Sequence, residues 1–318
     1  MNRRKFITNT SLAGAALSSL GMGVIPINDF FFQEKTLFFK LSLAQWSLHK
    51  AIFSNKMSPM DFAQKAKELG FEGLEYVSQL YKKDIKNSDI VTVVDALLSK
   101  SKEFGMKNLL IMVDGEGSLA SPDPAERKKA VENHYKWVDA AKTLGCESIR
   151  VNAHGKGTPE EVAVAAVAGL GELCDYAQQK GINILVENHG GNTSNAKWLA
   201  DVMKRVGRAN CGTLPDFGNF CLTEGYGSIS SDKCTKKYDI YQGVEELMPY
   251  AKAVSAKSID FDEAGNEIFI DYKKMMAIVK KAGYNGFVGV EYEGDRLDEI
   301  AGIDATKALL IKVGKELS

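Results

Sequence analysis

Three acidic residues stand at the ends of short apolar runs, where residue type and placement could do chemistry. Glu187 follows ILV in ILVENHGG, Asp216 follows TLP in GTLPDFGN, and Glu291 follows GV in GVEYEGD. A single acid in such a place more often pairs with a lysine or caps the next helix. Three acids converging on one point would repel one another, and some would have to take up protons. A divalent cation removes that cost and suits oxygen ligands. The three together therefore predict a carboxylate-rich metal site.

Other polar residues fall near the same run ends. Trp46 could stack on a ligand or simply pack in the core. His49 and His154 are each a substrate contact or a loop histidine. Lys257 is placed to touch a substrate oxygen or to pair with Glu291. Arg150 and Asn152 alternate with apolar Ile149 and Val151, so they face inward, and Arg150 either pairs with Glu75 or touches substrate. His134 lies mid-helix in VENHYKWV and reads as structural. The turn Gly115-Glu116-Gly117 is a weak phosphate cradle and reads as a turn.

The elements that must position these residues alternate regularly. Strand-like runs occur at Phe39–Trp46, Gly73–Val77, Asn108–Val113, Ser148–Ala153, Asn183–Asn188, Cys211–Asp216, Ala253–Ser258 and Phe287–Tyr292. Runs such as NILVEN and FVGVEY are almost continuously apolar before an acid, as strands covered on both faces are. Helical windows follow each run. Several end in glycine, as at Gly70, Gly105, Gly145, Gly181 and Gly283, and three begin at Ser58-Pro59, Ser121-Pro122-Asp123 and Thr158-Pro159. Eight such units predict an α/β fold, a single (β/α)8 barrel, whose chemistry collects at the C-terminal strand ends. A doubly wound sheet would want a glycine-rich turn after the first strand, and AQWSLH is not one. The irregular insert Gly218–Lys237 follows the sixth strand and is expected to lie over the site as a lid. Phe217, Phe220 and Tyr226 would be its apolar cover.

Composition narrows the function classes. The 318 residues are 45% hydrophobic and 25% charged, which excludes a disordered chain. Forty basic against 41 acidic side chains leave no footprint for nucleic acid. Only four histidines occur, so a metal site must be carboxylate-rich or very small. The five cysteines follow no metal or disulfide pattern, which predicts mainly buried free thiols.

Residues 1–36 read as a signal segment and linker, and 37–318 as the barrel. The order Asn2-Arg3-Arg4-Lys5-Phe6-Ile7, followed by an uncharged apolar stretch, resembles a twin-arginine export signal. That resemblance implies a periplasmic protein with no stable membrane span after export. Removing residues 1–36 takes away four bases and two acids, leaving −3, which weakens nucleic-acid binding further.

The stretches SLAQWSLH, ENHYKWVDAAKTLGC, SIRVNAHG, VENHGG, LPDFGNF and VSAKSIDFD, with the order Glu, Asp, a seventh-strand ligand and Glu, resemble the xylose-isomerase-like TIM-barrel superfamily of sugar isomerases and epimerases. The resemblance covers nearly all of Phe39 to Ser318. It implies one divalent ion, manganese, magnesium, cobalt or zinc, held by Glu187, Asp216 and Glu291, with Glu187 and Glu291 also moving protons. The family's seventh-strand histidine is Ser255 here, in Ser255-Ala256-Lys257. The fourth ligand position then falls to water, substrate or His189. Lys257 joins the catalytic set, and Trp46, His49, His154, His189 and Asn219 the substrate-binding set. Thr193 and Asn219 replace an acid and a histidine of the keto-hexose epimerases, which counts against that specific assignment. The implied activity is metal-dependent isomerisation or epimerisation of a small carbohydrate through an enediolate. A keto-sugar lyase or hydratase and a non-catalytic sugar-binding protein are the alternatives. An endonuclease-like relative is disfavoured by the charge and the few histidines. Self-association into a homo-oligomer is compatible with the composition.

Overall fold

The structure is a computed structural model and describes residues 36–318 apart from Glu224. The twin-arginine-like segment lies outside the described residues. Among the described residues no helix is long and apolar enough to cross a membrane.

Eight parallel strands form the central sheet: β1 (Lys40–Ala44), β2 (Gly73–Val77), β3 (Lys107–Met112), β4 (Ser148–Val151), β5 (Asn183–Glu187), β6 (Cys211–Leu214), β7 (Val254–Ser258) and β8 (Phe287–Tyr292). Their order is β6-β5-β4-β3-β2-β1-β8-β7. The ring closes between β6 and β7 through isolated parallel bridges, Thr213 with Ala251 and Asp216 with Ser255. Backbone hydrogen bonds support this seam, from Lys252 N to Thr213 O at 3.0 Å and from Ser255 N to Pro215 O at 3.0 Å. The fold is thus the predicted (β/α)8 barrel.

The main helices are α1 (Phe62–Glu68), α2 (Ile90–Glu103), α3 (Pro124–Leu144), α4 (Pro159–Gln178), α5 (Ala196–Val206), α6 (Ile240–Leu247), α7 (Tyr272–Lys281) and α8 (Glu299–Leu317). Except for α1, which has no side-chain cap, their starts are fixed by side-chain caps that satisfy orphan N–H groups. Thr158 and Glu161 form a reciprocal capping box on α4. On α3 the cap is Asp123, within the expected Ser121-Pro122-Asp123 start, with Pro124 at the first turn. Helix α4 buries Val162, Ala166, Gly169, Leu170, Leu173 and Ala177 along one stripe against the sheet. Beside β1 and β8, Leu37 and Phe39 close over Gly314 of α8, where a Cβ would approach the Leu37 side chain to 2.6 Å. Ser318 Oγ donates to Thr36 O at 2.8 Å.

The barrel interior is polar at several levels. Ser42 Oγ donates to Glu75 Oε1 at 2.6 Å, deep among buried residues. Gly289 of β8 is what admits this carboxylate, since a Cβ there would lie 2.6 Å from both Glu75 oxygens.

The insert after β6 is irregular, as expected, but its two cysteines are bonded rather than free. Cys221 and Cys234 form a disulfide, and Cys146, Cys174 and Cys211 are thiols. The bond is set by local antiparallel pairing, with Cys221 bridged to Lys237 and Leu222 N donating to Lys236 O at 2.8 Å. Phe217 and Phe220 pack against Tyr272 and Tyr238 and are fully buried, so they hold the insert down. Tyr226 is 69% exposed and is the aromatic of the three at the surface.

Candidate metal and sugar site

The strand ends bring Glu187, Asp216 and Glu291 together. One carboxylate oxygen from each lies within 4.8 Å of the others, and all three residues are buried. Glu187 is the last residue of β5 and Glu291 the fifth of β8. Asp216 lies two residues beyond β6 and is held by its backbone. Asn188 clasps it from both sides, donating to Asp216 O at 2.9 Å and accepting from Asp216 N at 2.8 Å.

Ser255 enters the centre of this cluster. Its Oγ is 2.7 Å from Asp216 Oδ2 and 2.8 Å from Glu291 Oε2. A hydroxyl has one hydrogen to donate. It satisfies one of these oxygens and leaves the other to a proton or a cation. Glu187 Oε2 is also buried without a hydrogen bond, although Arg150 Nε lies 2.9 Å away, because that N–H is not aimed at the oxygen. Oxygens left bare in this way suit a hard divalent ion, so Glu187, Asp216 and Glu291 fit one.

The charge states agree with crowding. Burial pushes Glu291 up to about 7, with Lys257 pulling the other way. Burial likewise holds Asp216 well above the ordinary aspartate range and Glu187 above its usual value, against Lys257 and Arg150 respectively. Burial also opposes the charge on Lys257, but Asp216, Glu293 and Glu291 outweigh it and keep the ammonium above the ordinary lysine range.

Lys257 does not pair directly with Glu291. It sits 3.3 Å from Glu293 and 3.7 Å from Asp216, and donates to Asn219 Oδ1 at 3.1 Å. Lys257 and Glu291 are register partners on neighbouring strands, but the ammonium extends past the strand end to Glu293. Asn219 in turn donates to Glu187 Oε1 at 3.2 Å, so it bridges the cation and the carboxylate cluster. Arg150 does not pair with Glu75, which lies lower in the barrel on Ser42. Its partners are Asp114 at 2.9 Å and Glu187.

His189 lies outside the carboxylate cluster. Strand β5 ends at Glu187, so strand alternation no longer aims the residue two places on. Its Nδ1 contacts Asn152 Oδ1 at 2.9 Å and its backbone N–H donates to Thr193 Oγ1 at 2.8 Å. Burial, with Arg150 and Lys257, lowers it to about 3, so the ring is neutral. His154 is exposed, and its Nε2 meets His189 O at 2.9 Å. Beside it a cavity of about 260 Å³ opens between Gly190, Asn192 and Leu222 of the insert. Trp46 and His49 stack at 4.4 Å after β1, with His49 Nδ1 at 2.6 Å from Trp46 O. Thr193 donates to Gly190 O at 2.8 Å and shapes the turn. His134 is buried against Ala130 O, the structural role expected of it. Glu116 of the GEG turn accepts from Trp137 Nε1 at 2.8 Å, so that turn is tied to α3.

Sequence reasoning missed Asp114, Glu293 and Asn188, and it placed Ser255 at the seventh-strand ligand position without finding its contacts. Asp114 follows β3 and Glu293 follows β8, so the strand-end rule that found the other acids applied to both. Asn188 and Ser255 carry no such signal, since their roles depend on how neighbouring strands meet.

The family model for the xylose isomerase-like TIM barrel matches residues 63–313. The chain belongs to this family. No curated protein matches the sequence. Among solved structures, this xylose isomerase-like barrel is similar to D-psicose 3-epimerase from Clostridium cellulolyticum H10, with 15% identity, a TM-score of 0.63, and coverage of 86% of this chain and 99% of that one. It is also similar to a 3-keto-D-glucoside 4-epimerase from E. coli, with 14% identity, a TM-score of 0.61, and coverage of 80% and 94%. A xylose isomerase-like protein from Mycobacterium smegmatis in complex with magnesium has 16% identity, a TM-score of 0.61, and coverage of 87% and 97%. These likenesses show the shared fold.

Proposed function

We propose that the protein is a divalent-metal-dependent isomerase or epimerase of a small carbohydrate. The observation that carries this reading is the buried triad Glu187, Asp216 and Glu291, whose oxygens lie within 4.8 Å of one another. The family and the epimerases among its structural neighbours support it. A bound divalent ion would supply Lewis-acid polarisation of a sugar carbonyl. Glu187 and Glu291 are the acid/base pair. One takes the proton from the carbon beside the carbonyl to leave an enediolate, and the other returns a proton. A positioned transfer of this kind contributes roughly 10²–10⁴-fold. Lys257 holds positive charge beside the developing oxyanion, and Asn219 keeps Lys257 and Glu187 in register.

We also propose that the segment Asn2–Ile25 directs export through a twin-arginine route. The Cys221–Cys234 disulfide supports this, because such bonds persist in oxidising compartments. Replacing Arg3 and Arg4 by lysine should retain the protein in the cytoplasm, and unchanged export would discard the proposal.

The function is tested by metal analysis of the purified protein and by solvent deuterium uptake into free ketoses and aldoses. Glu187→Gln and Glu291→Gln should each abolish uptake, and Asp216→Asn should strip the metal. Wild-type protein that holds a metal but exchanges no sugar proton would favour the sugar-binding alternative.

A further inference from the structure

A chain of side chains runs from the carboxylate cluster to the barrel mouth, and it fixes the hydrogen positions along its length. Arg150 Nη1 lies 2.9 Å from Asp114 Oδ1, with the guanidinium buried. Burial opposes the Asp114 charge, but the Arg150 guanidinium beside it outweighs that cost and keeps the carboxyl ionised. An ionised carboxylate only accepts hydrogen bonds. Asn152 approaches Asp114 Oδ1 at 2.7 Å, so it must present its NH₂ there and turn its carbonyl oxygen the other way. That oxygen faces His189 Nδ1 at 2.9 Å, and an amide oxygen only accepts. Nδ1 must therefore carry the hydrogen. A neutral imidazole has a single N–H, so Nε2 is left with a bare lone pair. Among the described residues Nε2 has no hydrogen-bond partner, and the ring lies between His154 at 6.2 Å and Tyr226 at 5.6 Å.

We propose that His189 is a specificity-determining residue whose Nε2 accepts a hydrogen bond from a substrate hydroxyl. The proposal deepens the sugar reading above and rests on it. A carbonyl, carboxylate or phosphate oxygen at that place would set lone pair against lone pair. The site thus requires a free hydroxyl there and rejects sugars esterified, etherified or oxidised at that one position. The asymmetry of hydrogen bonding makes this costly for the wrong sugar, because a donor or acceptor is then left unmade.

The first arm needs no ligand. Histidine-selective ¹⁵N labelling of the full-length protein, with long-range ¹H–¹⁵N correlation, reads the tautomer directly, and His189→Gln assigns the signal. The expected result is His189 Nε2 in the unprotonated range and Nδ1 in the protonated range. Asn152→Leu should shift the ring toward the other tautomer, because its acceptor is gone. A protonated Nε2 in the wild type overturns the inference and leaves the sugar reading standing. The second arm titrates metal-loaded protein with D-fructose, D-glucose and methyl glucoside, then with singly O-methylated forms of whichever binds. One methyl ether should lose about tenfold in affinity against the wild type and nothing against His189→Phe. If every methyl ether loses the same in both proteins, His189 touches no hydroxyl and the inference fails. If the tautomer is as expected but none of these sugars binds, the sugar reading is overturned, and the proposed donor with it.

Discussion

Ser255 has one hydrogen to give and two carboxylate oxygens within reach, at 2.7 and 2.8 Å. The cluster therefore needs one more positive partner than the serine can supply, and Lys257 answers only part of that need. Lys257→Met should lower turnover at least about tenfold, on the scale of a residue that supports a metal site. The metal content should stay near wild type, because Glu187, Asp216 and Glu291 remain. Metal analysis beside steady-state rates checks this, and a variant that loses metal and rate together would make Lys257 a binding residue instead. The acids were readable from sequence because strand alternation and strand ends leave a pattern in the chain. Asp114 and Glu293 obey the same pattern, one beside a glycine turn and the other just beyond Glu291. His189 escaped it because its orientation is decided by Asn152, just past the end of β4.

At the scale of elements, the eight strands and their helices match the periodicity of the sequence closely, since each buries an apolar stripe that a single run encodes. The insert after β6 does not, because its order comes from pairing between its own two arms. The disulfide shows the difference. Cys221 and Cys234 are 13 residues apart in a segment with no periodic pattern, and the antiparallel pairing of Cys221 and Leu222 with Lys237 and Lys236 brings them face to face. Changing both to serine should cost roughly 3 kcal/mol by loop-closure entropy. Far-UV circular dichroism should be unchanged, while limited proteolysis within Leu222–Lys236 becomes faster than in the wild type. Because Asn219 lies two residues before Cys221 and spans Lys257 and Glu187, the same variant should also lose turnover. Proteolysis at the wild-type rate would show that Phe217 and Phe220 hold the insert unaided.

For the molecule as a whole, Glu75 sets a pH dependence that is separate from catalysis. Burial pushes its carboxyl from an ordinary value of 4.5 up to about 7, against the hydrogen bond from Ser42. The folded state keeps this proton where the unfolded chain has given it up. The stability it contributes is full below pH 4.5 and is lost as pH rises to about 7, by at most roughly 1.4 kcal/mol per pH unit. Other buried carboxylates titrate nearby, so the measurement is the difference between wild type and Glu75→Gln in urea titrations across that window. That difference should grow in favour of the glutamine variant as pH rises. A constant difference would mean that Glu75 does not change protonation on folding.

Ser318 Oγ rests on Thr36 O at 2.8 Å, and β1 and β8 pair directly beside them. In the ring of βα units, this junction joins neighbours whose strands pair directly, with no peptide bond between Ser318 and Thr36. The order in which the units follow one another along the chain should then be interchangeable. A circular permutant of residues 36–318, with the two ends joined by a short glycine-serine link and the chain opened at the exposed Ala282-Gly283 turn, should fold to the same barrel. Its thermal midpoint should fall by only a few degrees, and its metal content should match that of the parent residues 36–318. A permutant that fails to fold would show that the β8–α8 unit must be made last.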